Sequence, residues 1–201
     1  MGRRRKFENR FEIIVETAAA LFTAKGPQNT TMEEIARQCD LGKATLYAEF
    51  ESKEELMNAV IVRHMQEAER WMRARAMGAT GHYMATLHSI LIDRIMGIYD
   101  HANQHFHTAE MMEVAQNKRD GGEKIRCQWD QESRVFAELM EKAAANGEMP
   151  SAGDYFYKAR MLRKALTGLL PPYVACIARD AFECDLREIV SVYLAGLKNG
   201  G

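Results

Sequence analysis

Proline is scarce in this chain: four in 201 residues, with glycine at only 14. Long stretches run without either, which favours helix over a turn-rich architecture. No alternation of apolar and polar residues persists long enough to read as a strand, so an all-β or mixed fold is excluded. No run of 18 apolar residues occurs, which removes a helical membrane span. The four cysteines, at 39, 127, 176 and 184, include no C-x-x-C pair, and this argues against a zinc knuckle or dithiol motif. They read as reduced thiols of an intracellular protein. Also absent are G-x-S-x-G, the phosphate-binding P-loop, H-E-x-x-H and the dinucleotide fingerprint, so the common catalytic frameworks have no foothold. The leading MGRRRKFENRFEII has no apolar core of a secretion signal, and Lys6 stands where myristoylation needs Ser or Thr. A cytoplasmic location is expected.

What is present is helical periodicity. Phe7, Phe11, Ile14, Val15, Ala18, Leu21 and Phe22 recur at the spacing of an amphipathic helix over 7–25. Gly26 can take the left-handed cap, and Pro27 cannot continue the helix. Thr31, with Glu34 three residues on, is a capping-box signal that opens a helix over 31–38. Met32, Ile35, Ala36 and Cys39 form its apolar face. In CDLGK, Asp40 and Gly42 are suited to unusual backbone angles, which predicts a tight turn. A second short helix follows over 43–49, with Leu46, Tyr47 and Phe50 available to pack. Ser52 and Glu55 repeat the capping signal ahead of a long helix over 53–75, lined by Leu56, Val60, His64, Ala68 and Trp71.

MGATGH (77–82) reads as a linker between halves. Helical segments then follow near 83–101, 103–117, 122–145, 155–178 and 182–198, with Pro171 and Pro172 predicting a kink or break in the fourth. In the third, Ile125, Trp129, Glu132, Phe136, Leu139 and Ala143 keep the helical period. The fold class is all-α: a three-helix head over 1–52 and a larger helical body over 53–201.

Two short helices joined by a tight turn and braced by a third make a helix-turn-helix. That unit lays its second helix in the DNA major groove, N-terminal residues against base edges. Here those residues are Gly42, Lys43, Ala44 and Thr45. Lys43 can reach a guanine edge or a phosphate, Thr45 can bond or touch a thymine methyl, and Gly42 and Ala44 permit close approach. Thr31 presents a hydroxyl and free backbone N–H groups to a phosphate. Tyr47 offers a phenol and Lys53 a charge. Arg3, Arg4, Arg5 and Lys6 form a basic block suited to a nucleic-acid arm.

The segment 30–56 resembles the head of the TetR family of bacterial transcription regulators. Thr31, Ile35, Ala36, Leu41, Thr45, Leu46, Tyr47, Phe50, Lys53 and Leu56 stand in the family's order and spacing, and the similarity spans about residues 7–60. The chain departs from the pattern at Asp40, where the family usually has glycine, at Gly42, where it often has serine, and at Glu49, where it often has histidine. Over residues 7–60 five cations face ten acids, so the block at 3–6 is expected to supply much of the attraction to DNA.

The resemblance implies a ligand-binding body that dimerises through its last two helices, here near 155–170 and 182–198. The apolar face Phe182, Leu186, Ile189, Val190, Tyr193, Leu194 and Leu197 fits that role. It implies a double-stranded DNA operator bound as a palindrome by a homodimeric repressor. It also implies release by a small apolar ligand acting through the long helix 53–75. Tyr99, Phe106, Met111, Met112, Trp129, Phe136, Met140 and Tyr173 are candidates for the pocket wall. No cofactor or bound metal is expected. The alternatives are a DNA-binding regulator that responds to metal or oxidation, through His101, His105 and His107 beside Asp100 or through Cys127 and Cys176, and a small all-helical enzyme.

Overall fold

The computed structural model describes residues 2–104, 122–151, 153–169 and 177–198, with side chains from Arg10 onward and Gln104 apart. Its described residues form helices and no strand, in the order α1 (Gly2–Lys25), α2 (Met32–Gln38), α3 (Lys43–Glu49), α4 (Lys53–Met77), α5 (Tyr83–Gln104), α6 (Gly122–Ala145), α7 (Tyr155–Thr167) and α8 (Arg179–Lys198). The all-α expectation holds. Two compact units divide the described chain. The first holds residues 2–65 with 104 and 122–126, and the second 66–103 with 127–198. The division falls within α4, while the 78–82 turn lies inside the second unit.

The basic block is not a loose tail: α1 begins at Gly2, so residues 3–6 occupy its first turns. Nothing between Gly2 and Gly26 breaks a helix, and arginine and lysine are good helix formers. Gly26 ends α1 at φ +84, its N–H donating to Phe22 O at 2.9 Å. Ile14, Val15, Ala18 and Phe22 of α1 pack with Met32, Ile35 and Ala36 of α2, Leu46, Phe50, and Leu56, Met57 and Val60 of α4. Each large member, fully buried, contributes about 1.5–3 kcal/mol relative to exposure.

The buried face of α4 differs from the one its sequence suggests. Leu56, Met57 and Val60 are buried, but His64 and Trp71 are exposed and Ala68 is half-buried, while Met65, Met72 and Ala76 turn inward. At 3.6 residues per turn the buried stripe moves roughly a third of a turn around the helix. The first half of α4 serves the core of one unit and the second half the core of the other, so no single stripe runs its whole length.

In the second unit α5 buries Ile90, Leu91 and Ile92 in succession, the pattern of a helix enclosed on more than one side. Helix α7 lies in the fourth predicted segment, 155–178. It stops at Thr167, capped by Gly168, whose N–H donates to Lys164 O at 3.1 Å. Glycine is a poor helix residue, and a proline such as Pro171 disfavours the helical conformation in the residue before it. On α8, Phe182, Leu186, Val190, Leu194 and Leu197 are core of this chain, Ile189 faces out at 41% exposure, and the half-buried Tyr193 donates from its hydroxyl to Lys158 O at 2.9 Å. The outward apolar surface of α8 is therefore Ile189 and Val192.

The start of α5 is capped from a distance. Glu148 accepts the backbone N–H groups of His82, Tyr83 and Met84 at 3.1, 2.9 and 2.9 Å, and the Asn146 amide at 2.9 Å. Partial burial pushes its pKa up, but these donors and the nearby His82 outweigh that and hold it below the usual carboxylate range. A depressed folded pKa means the stabilisation is complete above the unfolded value and is lost as pH falls through the lower, folded one. Glu148→Ala is expected to cost about 1–2 kcal/mol at neutral pH, the scale of a lost helix cap. Urea unfolding of both proteins should show the gap closing in acid. A gap that persists below the folded pKa would point to packing instead of charge.

Candidate nucleic-acid interface

Helix α2 starts where the capping signal placed it. Thr31 has φ −106 and ψ 153, and its Oγ1 accepts the Glu34 N–H at 3.2 Å. The Glu34 carboxylate pairs with Lys25 at the end of α1, which holds its pKa below the usual range, with Arg37 and the Thr31 backbone N–H adding to this. Beneath the cap, the fully buried Thr30 donates its hydroxyl to Gly26 O at 2.8 Å. The loop between α1 and α2 is thus fixed from both ends, and Thr31 stays exposed at the helix start.

The turn closes by a Schellman arrangement. The Leu41 N–H reaches Ala36 O at 2.8 Å and the Asp40 N–H reaches Arg37 O at 3.2 Å. This requires a left-handed residue, and Asp40 supplies it at φ +53. Aspartate tolerates that region better than most side chains, though less well than glycine. Gly42 does not use its freedom: it caps α3 at φ −68 and ψ 144, with no side-chain hydrogen bond.

Helix α3 divides cleanly between inside and outside. Leu46 is fully buried, while Lys43, Ala44 and Tyr47 are exposed and Thr45 is half-buried. Together with Thr31 they present one face of a helix held out from its core. Lys43 pairs with Glu33 of α2 and sits 5.6 Å from the centroid of the Tyr47 ring. The pair raises the Lys43 pKa and lowers that of Glu33, chiefly through their shared hydrogen bond. Arg37, one turn after Glu33, lines the same shallow hollow as Gly42 and Lys43. Its place four residues from Glu33 could have assigned it to this face from sequence.

Two residues occupy posts that spacing did not reveal. Glu49 is tied to Arg10 of α1 at 3.3 Å and is only 15% exposed, so its charge is balanced within the head. Lys53 turns inward, its Nζ donating to Pro27 O at 2.6 Å and Thr30 O at 3.1 Å. The side chains of Arg3, Arg4 and Arg5 lie outside the described residues.

Four of the eight candidate pocket residues lie among the described residues. Tyr99 is buried, stacks on Phe182 at 4.8 Å and donates its hydroxyl to Ile177 O at 2.6 Å. Phe136 and Met140 are deep core, and half-buried Trp129 lies against Arg163. Phe106, Met111, Met112 and Tyr173 lie outside the described residues, as do His105, His107 and Cys176. Asp100 is taken by Arg179 in a bidentate pair at 2.8 and 3.1 Å. Among the described residues no three His, Cys, Asp or Glu side chains converge as a metal site, and no helix is long and apolar enough to cross a membrane.

Residues 14–60, the stretch from the core of α1 to the first turns of α4, match the model of bacterial regulatory proteins of the tetR family. The head is that of the TetR family. YuxN of Bacillus subtilis (strain 168), an uncharacterized HTH-type transcriptional regulator, is 40% identical over 50 residues, 25% of this chain and 17% of YuxN's own length. The fold is similar over nearly the whole chain to a TetR-family transcriptional regulator from Pectobacterium atrosepticum, with a TM-score of 0.73, 16% identity and 97% of each chain covered. It is also similar to the regulator FadR of Bacillus subtilis, solved in complex with stearoyl-CoA. There the TM-score is 0.61 at 16% identity, covering 95% of this chain and 99% of that one. The sequence likeness to YuxN covers a quarter of the chain, and the likeness to the two solved structures is one of fold alone.

Proposed function

We propose that this TetR-family protein is a transcriptional repressor of the cytoplasm, regulatory and not enzymatic, that binds a palindromic operator as a homodimer and leaves it when a small molecule enters the second unit. The observation that carries the reading is the division of α3, with Leu46 locked in the core and Lys43, Ala44 and Tyr47 exposed beside the Thr31 cap. In this reading Lys43, Ala44 and Thr45 meet base edges, and Tyr47 and Thr31 meet phosphates. The basic block Arg3, Arg4 and Arg5 adds attraction that the acid-rich head lacks. Residues 1–52 act as the DNA-binding domain and 53–201 as the ligand-binding and dimerisation domain.

Outward Ile189 and Val192 of α8 and Tyr157 of α7 support pairing through these two helices, since large apolar side chains at 41, 63 and 58% exposure favour cover. The likeness to FadR, crystallised with stearoyl-CoA, supports a body of this fold taking a ligand with a long apolar part. Tyr99, Trp129, Phe136 and Met140, with Phe106, Met111, Met112 and Tyr173, are the proposed surroundings of that ligand.

The test is an electrophoretic shift of the purified protein with the DNA upstream of its own gene, at two salt concentrations. A specific shift that weakens with salt supports the reading. Absence of any shift at low salt, with the protein folded, counts against it.

A further inference from the structure

Arg163 stands where helical spacing calls for an apolar residue. Ala159, Leu162, Arg163 and Leu166 are the buried positions of α7. Arg163 is 9% exposed, and its Nε is buried without a hydrogen-bond partner among the described residues. Its guanidinium lies 4.9 Å from the centroid of the Trp129 ring on α6. Burial pushes its pKa below the ordinary arginine range, against the fields of Glu132 and Asp130, which raise it.

Both of those carboxylates are engaged elsewhere. Glu132, itself 4% exposed, accepts from Arg94 Nη2 of α5 at 2.8 Å. Asp130 lies 3.5 Å from Arg160 Nε. The Nε of Arg94 is also buried without a hydrogen-bond partner among the described residues, and that of Arg160 has the Asp130 carboxylate at 3.5 Å as an ion-pair partner without a hydrogen bond. The neighbouring amide, Gln128, is committed to Glu69 at 3.0 Å, and Glu69 to Arg73 at 2.9 Å. Three guanidinium groups therefore share two carboxylates. The excess positive charge falls on the most deeply buried of the three.

A buried charge without a hydrogen-bonded partner is costly, and apolar residues in its place are often neutral or stabilising. The contact with the Trp129 ring offsets part of that cost but leaves Nε without a hydrogen bond among the described residues. The planar fork of guanidinium suits an oxyanion, carboxylate or phosphate, and gains strength where water is excluded. Trp129 and Phe156, both half-buried, supply aromatic faces beside the cluster, with Arg134 and Arg160 at 5.0 and 5.8 Å from the Phe156 ring.

We propose that Arg163, with Arg94 and Arg160 beside it, receives the anionic group of an amphipathic organic anion whose apolar part lies on Trp129. This rests on the reading of the second unit as ligand-binding and adds that the ligand is charged. The oxyanion is the shared chemistry, and its two sources, a carboxylate and a phosphate ester, are told apart by the probes.

The experiment titrates decanoate, decyl phosphate and the uncharged decanol into the full-length chain carrying Trp71→Phe. Trp129 is then the only indole, because the chain has two tryptophans. At least one anion is expected to change Trp129 emission and to bind about tenfold or more tightly than decanol, the scale of a charge-assisted hydrogen bond. Arg163→Met should erase that preference. If this variant fails to fold, Arg163→Gln is read the same way. Decanol binding as tightly as the anions, a preference that survives in either variant, or no response of Trp129 to either anion would overturn the proposal. An operator shift run on the same sample separates the two readings. DNA binding without an anion preference removes the anion site alone. An anion preference without DNA binding removes the repressor alone.

Discussion

Replacing Lys43 and Tyr47 together by alanine is expected to weaken operator binding about a hundredfold, roughly tenfold for each of the two side chains. Stability should hardly change. The Lys43 side chain is 61% exposed and Tyr47 is 39% exposed, and surface substitutions of this kind stay within about 0.5 kcal/mol. Thermal unfolding and a gel shift on the same preparation separate the two effects. The salt dependence assigns the role of Lys43. If it meets a phosphate, its removal lowers the slope of log affinity against log salt by about one, whereas a guanine-edge role leaves the slope nearly unchanged and relaxes sequence preference. The partner of Lys43 in the free protein gives a control of opposite sign. Glu33→Gln removes the carboxylate that holds the ammonium and should strengthen DNA binding, since the pair no longer has to open. Unchanged affinity in the double alanine variant would mean that α3 is not the reading helix.

The short elements of the head were legible because their signals are local. Thr31 and Glu34, Gly26 before Pro27, and Ser52 with Glu55 each fix a helix end through hydrogen bonds spanning a few residues. The Glu55 N–H does reach Ser52 Oγ at 3.1 Å, and the Thr31 cap forms as read. What stayed hidden depends on partners distant in sequence. Nothing near Glu49 announces that Arg10, 39 positions earlier, neutralises it. Nothing near Glu148 announces the three backbone donors at the start of α5. The turning of the buried face along α4 was invisible for the same reason, since it is set by two cores and not by the helix. Arg163 is a different case. Its position in the stripe Ala159, Leu162, Leu166 was readable, and a cation there signals either a buried partner or a ligand.

Lys53→Met is expected to destabilise the head by about 2 kcal/mol, the scale of charged hydrogen bonds removed from carbonyls that lie partly away from water. Methionine keeps the length of the stem and its apolar packing, so the change isolates the ammonium. The ammonium joins Pro27 O and Thr30 O, 26 and 23 residues back in the chain. Those carbonyls belong to the loop that delivers Thr31 to the start of α2, so Lys53 holds the first helices in register from the base of α4. A phosphate grip and a structural tie predict opposite results. If Lys53 chiefly met DNA, the variant would lose affinity and about one unit of salt slope while melting as before. If the tie dominates, the melting temperature falls, the salt slope stays, and DNA affinity recovers once the temperature is low enough to keep the head folded. Lysine has three donors and the tie uses two of them. A small slope change on top of a large drop in stability would therefore show the remaining donor turned toward the DNA backbone.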